Sequence, residues 1–181
     1  MTTATTDPAF QILSERLTKL EQQSRLGFGP APYVRTIHCK RREDCLWYFW
    51  NGPEGAEPIT HEAITGYARE LRISQGEYKG KATYALQLVL ECDNRTFVLE
   101  AGATAVFSKG LILGLAGVTP EQLQLPITIC PQASETEAKA LFCRVYQGSD
   151  RVGAAWPQQD ESAAFRFLLE RAKANVEAAQ F

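Results

Sequence analysis

The chain has 181 residues, of which 45% are hydrophobic and 22% charged, and its formal net charge is -2 at pH 7. These values are ordinary for a globular domain, and no run approaches the ~18 apolar residues of a transmembrane helix. The net charge argues against coating of duplex nucleic acid through bulk positive charge, although it is compatible with a locally basic groove. Because MTTATTDPAF lacks the basic and apolar regions of a secretory signal, we expect a cytoplasmic protein with reduced cysteines.

Residues 1–25 are predicted to contain an amphipathic helix. Asp7 is a suitable N-cap, and Pro8 suits the first helical position. An apolar stripe at spacings of three and four consists of Phe10, Leu13, Leu17 and Leu20. Such a stripe either packs on its own domain or pairs with a second copy of the chain.

Residues 33–58 are predicted to form an aromatic hairpin. Two β-prone runs, 34–40 and 45–51, flank the charged loop RRED. Alternation puts Trp47 and Phe49 on one face and Tyr48 and Trp50 on the other. An exposed Tyr48/Trp50 pair beside arginines suits nucleic acid or a protein partner. The alternative is a hairpin that plugs the end of a barrel with all four rings buried.

Residues 59–148 carry the main fold prediction. The predicted elements are strands at Ala63–Ile73, Ala82–Glu91 and Thr96–Ala101, a helix at Ala105–Ala116, and strands at Leu125–Cys130 and Ala140–Tyr146. A turn over Ser74–Lys81 separates the first two strands, and Gly66 marks a sharp coil in the first. This order predicts a mainly β (α+β) chain with flanking helices, built on a five-stranded OB-type barrel with a helix between strands 3 and 4. Another small antiparallel sheet with one helix, such as a β-grasp or an open roll, is the alternative.

The first three strands resemble a known class. The runs ITGYARELRIS, EYKGKATYALQLVLE and TFVLEAG are similar to the corresponding strands of OB-fold single-stranded-DNA-binding proteins, the class of bacterial single-strand-binding proteins and replication protein A. The resemblance covers about residues 63–146 and implies DNA binding without catalysis, in replication or repair. The aromatic hairpin and the tail EAAQF, which lacks an acidic run, depart from the bacterial type.

Basic and aromatic residues on the predicted strands and loops form the candidate binding set. Single-strand binding requires flat rings for base stacking and cations along the phosphates. The candidates are Tyr67, Arg69, Tyr78, Lys79, Lys81, Arg95, Phe97, Lys109, Arg144 and Tyr146, with Arg41, Arg42 and Trp50 of the hairpin. The alternative is that Phe97 and Tyr146 belong to the hydrophobic core. The lysines would then be solvated turn residues without a binding role.

No motif indicates catalysis or a bound cofactor. The sequence contains no GxSxG, phosphate loop or HExxH, so we expect a protein that is not an enzyme. Cys39 and Cys45, with His38, do not have zinc-ligand spacing, and no second pair matches them. We therefore expect neither a metal nor a cofactor.

Residues 160–181 are predicted to form a closing helix, capped by Ser162 and extending over Ala163–Ala179. Its apolar face consists of Phe165, Leu168, Leu169, Ala172 and Val176. The two terminal helices and the hairpin favour a second function, a protein-interaction or assembly module. We expect a homo-oligomer without membrane association, in which joined copies raise the avidity for single-stranded nucleic acid.

Overall fold

Nine strands and three helices make up the part of the chain that the computed structural model describes, residues 33–93, 95–157 and 160–180. The strands are β1 (Tyr33–His38), β2 (Tyr48–Trp50), β3 (Ala56–Pro58), β4 (Ile64–Tyr78), β5 (Lys81–Cys92), β6 (Arg95–Gly102), β7 (Ile127–Ala133), β8 (Leu141–Gln147) and β9 (Asp150–Val152). The helices are α1 (Val106–Ala116), α2 (Pro120–Leu123) and α3 (Glu161–Ala178). The predicted N-terminal helix lies outside the described residues.

All nine strands belong to one mixed sheet, in the order β3-β2-β1-β6-β5-β4-β7-β8-β9. The long strand β4 changes partner at Gly66: Ile64–Gly66 pairs with β7, and Tyr67–Tyr78 pairs with β5. A Cβ at Gly66 would lie 2.6 Å from the Cys92 sulfur and 2.8 Å from the Glu91 carbonyl oxygen. Glycine is therefore required where the strand passes from one partner to the other.

The predicted closed five-stranded OB barrel is wrong. Closure would require the third strand of that barrel, β6, to meet the fifth, β8, but β6 pairs in parallel with β1 along six residues and β8 pairs with β9. The aromatic hairpin explains the difference, because β1 places Ile37 beside Leu99 and occupies the edge that closure would use. The result is an open sheet whose edge strands, β3 and β9, have only three residues each, which limits edge-to-edge association.

The sheet curls strongly although it is open. In a flat sheet β1 and β7 would lie about 19 Å apart, because they are four positions apart in the strand order. Yet Arg41, just after β1, donates hydrogen bonds from Nη1 to the carbonyl oxygens of Ser134 (2.9 Å) and Glu137 (3.2 Å), just after β7. The loop after β1 is thus joined to the connection between β7 and β8.

The core lies between one face of the sheet and the helices. On β5 the alternate residues Leu86, Leu88 and Leu90 are all buried, whereas Tyr84, two residues before them, is exposed. Helix α1 lies close to β8, where a Cβ at Gly110 would come within 2.6 Å of the Cys143 carbonyl oxygen. Helix α3 packs on α1 and β4 and buries the predicted face around Leu168. None of the described helices is long and apolar enough to cross a membrane.

Three local predictions need correction. The predicted turn Ser74–Lys81 is only Lys79-Gly80, because β4 continues to Tyr78 and β5 begins at Lys81. A short strand, β9, lies between the predicted barrel and the predicted closing helix, where the sequence predicted no element. The N-cap of α3 is Asp160, whose carboxylate accepts from the backbone N–H groups of Ser162 and Ala163.

Candidate nucleic-acid interface

We call one side of the sheet the open face. It is the side opposite the buried Leu86, Leu88 and Leu90. The strand register assigns to it Thr65, Tyr67, Glu70, Arg72, Gln87, Glu91, Val98, Glu100, His38, Tyr48, Trp50, Cys130, Phe142, Arg144, Tyr146 and Arg151. Among these, Val98 alone is buried, and the others are exposed or half-buried. The buried residues of α1 and α3 belong instead to the core, so the open face is the solvent-facing surface of the sheet within the described residues.

The centre of the open face is a ladder of paired polar groups across five strands. Arg72 of β4 binds Glu70 at 2.9 Å and Gln87 of β5 at 2.8 Å. Gln87 in turn donates to Glu100 of β6 at 2.7 Å, and Glu100 faces Nδ1 of His38 on β1 at 3.4 Å. The His38 ring stacks on Tyr48 of β2. Because Arg72 is matched by Glu70 and Glu100 adds a second carboxylate, this centre is not a bare phosphate-binding surface.

Tyr67 and Arg69 form a partly exposed pair beside this ladder. The Arg69 guanidinium lies 5.2 Å from the centre of the Tyr67 ring, and its Nε donates to Glu91 at 2.6 Å. Tyr67 is 38% exposed. The ring therefore presents an accessible face, whereas the charge of the arginine is already matched by a carboxylate.

The end of the open face near β8 and β9 has a different electrostatic character. The register places Thr65, Thr128, Tyr146 and Arg151 in one row, with Arg144 two residues from Tyr146 on the same face. No described carboxylate lies within 4 Å of the guanidinium of Arg144 or Arg151. Two unpaired arginines thus flank a half-buried tyrosine, the combination that base stacking and phosphate binding require.

Arg144 also affects its neighbour across the sheet. Burial and the charge of Glu62 raise the pKa of the Cys130 thiol, while the Arg144 guanidinium acts in the opposite direction. The pairing of Cys130 with Arg144 in the register agrees with this proximity.

The paired ends of β4 and β5 project as a two-stranded arm, Gln75–Tyr84. Every residue of the arm is exposed, and the arm ends where β5 begins to pair with β6. Lys79 and Gly80 have φ values of 52° and 74°, as a type I′ turn requires. The Lys79 ammonium lies 5.3 Å from the Tyr78 ring, which is 65% exposed. The predicted basic-aromatic loop is therefore the tip of a paired hairpin.

Other predicted binding residues are used in the fold or lie apart. Arg41 makes the loop hydrogen bonds described above. Phe97 packs on the core face, in edge contact with Tyr33, whose ring lies 5.4 Å from the Arg95 guanidinium. Lys109 on α1 forms an ion pair with Glu161. The structure does not bring these four residues to the open face.

The hairpin alternates as predicted. Trp47 is 1% exposed and Trp50 is 56% exposed, so the alternative with all four rings buried is wrong. Trp50 lies at the end of β2, and Arg42 stacks over Tyr48 at 5.1 Å while facing Asp44 at 3.8 Å. These residues form a second aromatic area on the open face, beyond the polar ladder.

Three residues that sequence reasoning missed lie near Arg144. Phe142 is 47% exposed on β8 and shares the face of Arg144 and Tyr146. The period-two alternation of ALFCRVY was sufficient to predict that Phe142 shares a face with Arg144 and Tyr146. Arg151 and Trp156 lie outside every predicted element, and no local pattern indicated that they would reach this end of the sheet.

The described residues contain no group of three histidine, cysteine or acidic side chains placed to hold a metal ion. His38 lies on the open face, whereas Cys39 is buried in the core, so alternation separates the two. All five cysteines are free thiols, and burial raises the pKa of each, most strongly for Cys39 and Cys143.

Comparison with protein-family models, with curated proteins and with solved structures found no match. These comparisons give no support to the resemblance drawn from the strand pattern. The open sheet also contradicts the closed barrel that this resemblance implied.

Proposed function

We propose that this chain binds single-stranded nucleic acid on the open face and the arm, without catalysing a reaction. The supporting observation is that Arg144 and Arg151 lie beside Tyr146 on a solvent-facing sheet surface, with no carboxylate within 4 Å of either guanidinium in the part of the chain that the structure describes. DNA is favoured over RNA on the resemblance of the strand pattern. A cytoplasmic setting belongs to the proposal, since five free thiols suit a reducing compartment.

Aromatic rings and cations contribute to this function in different ways. Tyr67 and Tyr146 offer ring faces for bases, each worth about 1–3 kcal/mol per stacked base. Arg144, Lys79 and Lys81 supply charge for phosphates, and each phosphate neutralised on a single strand contributes about 0.7 to the salt slope. The polar ladder carries two carboxylates for one arginine, so we expect affinity to depend on the β8–β9 end of the open face and on the arm.

The test is a titration of the purified protein with labelled oligo-dT and with a duplex of equal length, at about 50 and 200 mM salt. We expect salt-sensitive binding to oligo-dT and weaker binding to the duplex. The variants Arg144→Ala and Tyr146→Ala should each weaken oligo-dT binding about 10-fold. The control Arg171→Ala, on an exposed position of α3, should bind as the wild type does. Absence of oligo-dT binding at the lower salt, or equal affinity for the duplex, would refute the proposal.

An assembly module is the second candidate function. Two large side chains far apart in sequence, Trp50 of β2 and Phe167 of α3, are 56% and 55% exposed. Rings this exposed suit contact with a second copy or with another protein, and a homo-oligomer would raise the avidity of a chain with net charge -2. Sedimentation of Trp50→Ser, Phe167→Ser and the N-terminal variant Leu13→Glu/Leu17→Glu tests it. A wild type that sediments as a monomer at all concentrations would eliminate self-assembly.

A further inference from the structure

We propose that a groove between α1 and the β8–β9 end of the sheet holds one nucleobase of the bound strand, with its phosphate at Arg144 and Arg151. This inference rests on the proposed function and deepens it, because it assigns a base-binding pocket to a place where the sequence predicted none.

The groove consists of two adjoining depressions that share a wall. Their volumes are about 460 and 260 Å³, and the shared wall is formed by Gly110, Leu113, Cys143, Arg144 and Arg151. The larger depression falls within the roughly 300–1,000 Å³ typical of small-molecule sites. It therefore has room for a base and part of its sugar.

The strand pairing explains why the groove is present. Strand β9 pairs only with Val145–Gln147, so among the described strands the first half of β8 has no neighbour on that side. Helix α1 fills part of this space and approaches β8 closely at Gly110 and Gly114. Because glycines form this contact, the helix leaves a recess beside the edge of β8 instead of covering it with side chains.

The charges that line the groove have one sign. The charged residues of the larger depression are Lys109, Arg144 and Arg151, and none of the acidic residues that the structure describes lines it. Lys109 is directed to Glu161 outside the lining, so Arg144 and Arg151 are the cations available to a ligand. An anionic occupant is complementary to this lining.

The apolar lining favours an aromatic occupant. Phe142 and Trp156 both line the larger depression, and the Lys109 ammonium lies 5.8 Å from the Trp156 ring. An exposed phenylalanine and a tryptophan supply flat faces for stacking. Since Phe142 and Arg144 also belong to the open face, a strand crossing that face reaches the groove without a gap. This continuity favours a nucleotide over an acidic peptide.

Oligo-dT binding by Phe142→Ala and Trp156→Leu tests the proposal, with Leu125→Ala as a control, because Leu125 is an exposed apolar side chain outside the groove lining. Each groove variant should lose about 10-fold in affinity, within the range of one stacked base, with an unchanged salt slope. Arg151→Ala should lower the slope by about 0.7. The control should bind as the wild type does. Circular dichroism establishes that each variant folds.

A crosslinking experiment on the wild-type protein keeps the test independent of variant folding. Irradiation with an oligonucleotide that carries 5-iodouracil should join the base to a peptide containing Phe142 or Trp156. If the wild type binds oligo-dT but crosslinks only elsewhere, or the groove variants bind normally, the pocket is refuted and the proposed function stands. If the wild type binds no oligonucleotide, both fail. Binding of an acidic, tyrosine-containing peptide instead would assign the groove to a protein partner and overturn the proposal.

Discussion

Gly114 of α1 has no room for a side chain. A Cβ there would lie 2.6 Å from the Cβ of Val145, a β-branched residue fixed in β8. We predict that Gly114→Ala lowers the free energy of unfolding by about 1–3 kcal/mol, because overpacking forces the helix away from the strand. Urea unfolding measures the change.

The matched control is Gly102→Ala, at the end of β6. The nearest atom to a Cβ at Gly102 is 3.8 Å away, an ordinary contact. We expect a change within about 0.5 kcal/mol for this variant. Equal effects at the two glycines would show that close packing on Val145 is not the cause.

The buried thiols Cys39 and Cys143 predict a loss of stability in alkaline solution. Burial raises the pKa of both thiols in the folded chain, whereas in the unfolded chain they ionise near the ordinary cysteine pKa of about 8.5. Above that pH the unfolded state binds fewer protons than the folded state. The free energy of unfolding therefore falls as the pH rises beyond about 8.5 and is unaffected by these thiols below it.

Urea unfolding of the wild type and of Cys143→Ala across this range measures the effect. The free energy of unfolding of Cys143→Ala should fall less steeply with rising pH than that of the wild type, because one buried thiol no longer contributes. Identical slopes for the two proteins would contradict a contribution from Cys143.

At the scale of elements, the arm is separable from the core. None of its residues, Gln75–Tyr84, is buried, and among the described strands its two halves pair with each other, with one further hydrogen bond from the Ala103 N–H to the Tyr84 carbonyl oxygen at its base. We predict that Lys79→Ala/Lys81→Ala leaves the free energy of unfolding within about 0.5 kcal/mol of the wild type. The same variant should lower the salt slope of oligo-dT binding by about 1.4, for two lost phosphate contacts.

The control for the arm is Lys173→Ala, on α3. Its ammonium lies 3.9 Å from Glu170, and we expect no change in the salt slope. An unchanged slope in the double arm variant would remove the arm from the binding surface.

At the scale of the whole molecule, the curl of the sheet depends on contacts outside the strand ladder. Arg41 joins the loop after β1 to two carbonyl oxygens after β7. We predict that Arg41→Ala lowers the free energy of unfolding by about 1–2 kcal/mol, since hydrogen bonds from a charged group are lost. Its oligo-dT salt slope should equal that of the wild type. The control is Arg42→Ala in the same loop, which loses an exposed ion pair with Asp44 at 3.8 Å and the stacking over Tyr48 at 5.1 Å and should change the free energy of unfolding by only about 0.5 kcal/mol.

The sequence by itself determined the local elements. Period-two alternation located β5 and the face formed by Leu86, Leu88 and Leu90, and the predicted helix at Ala105–Ala116 agrees with α1 to within one residue. Alternation also separated buried Trp47 from exposed Trp50. These features follow from the spacing of neighbouring residues, so a single chain read locally is sufficient for them.

Only the tertiary structure decided which partner each element takes. The free edge of β6 could pair with β8 or with β1, and both are short apolar strands, so local pattern did not distinguish a closed barrel from an open sheet. The same holds for the candidate site. The sequence alone does not distinguish Arg41, Arg69 and Arg144. In the structure Arg41 joins two loops, and Arg69 is paired with Glu91. Arg144 has no carboxylate within 4 Å among the described residues. Strand pairing and ion pairing join residues distant in the chain, and the fold selects among chemically similar partners.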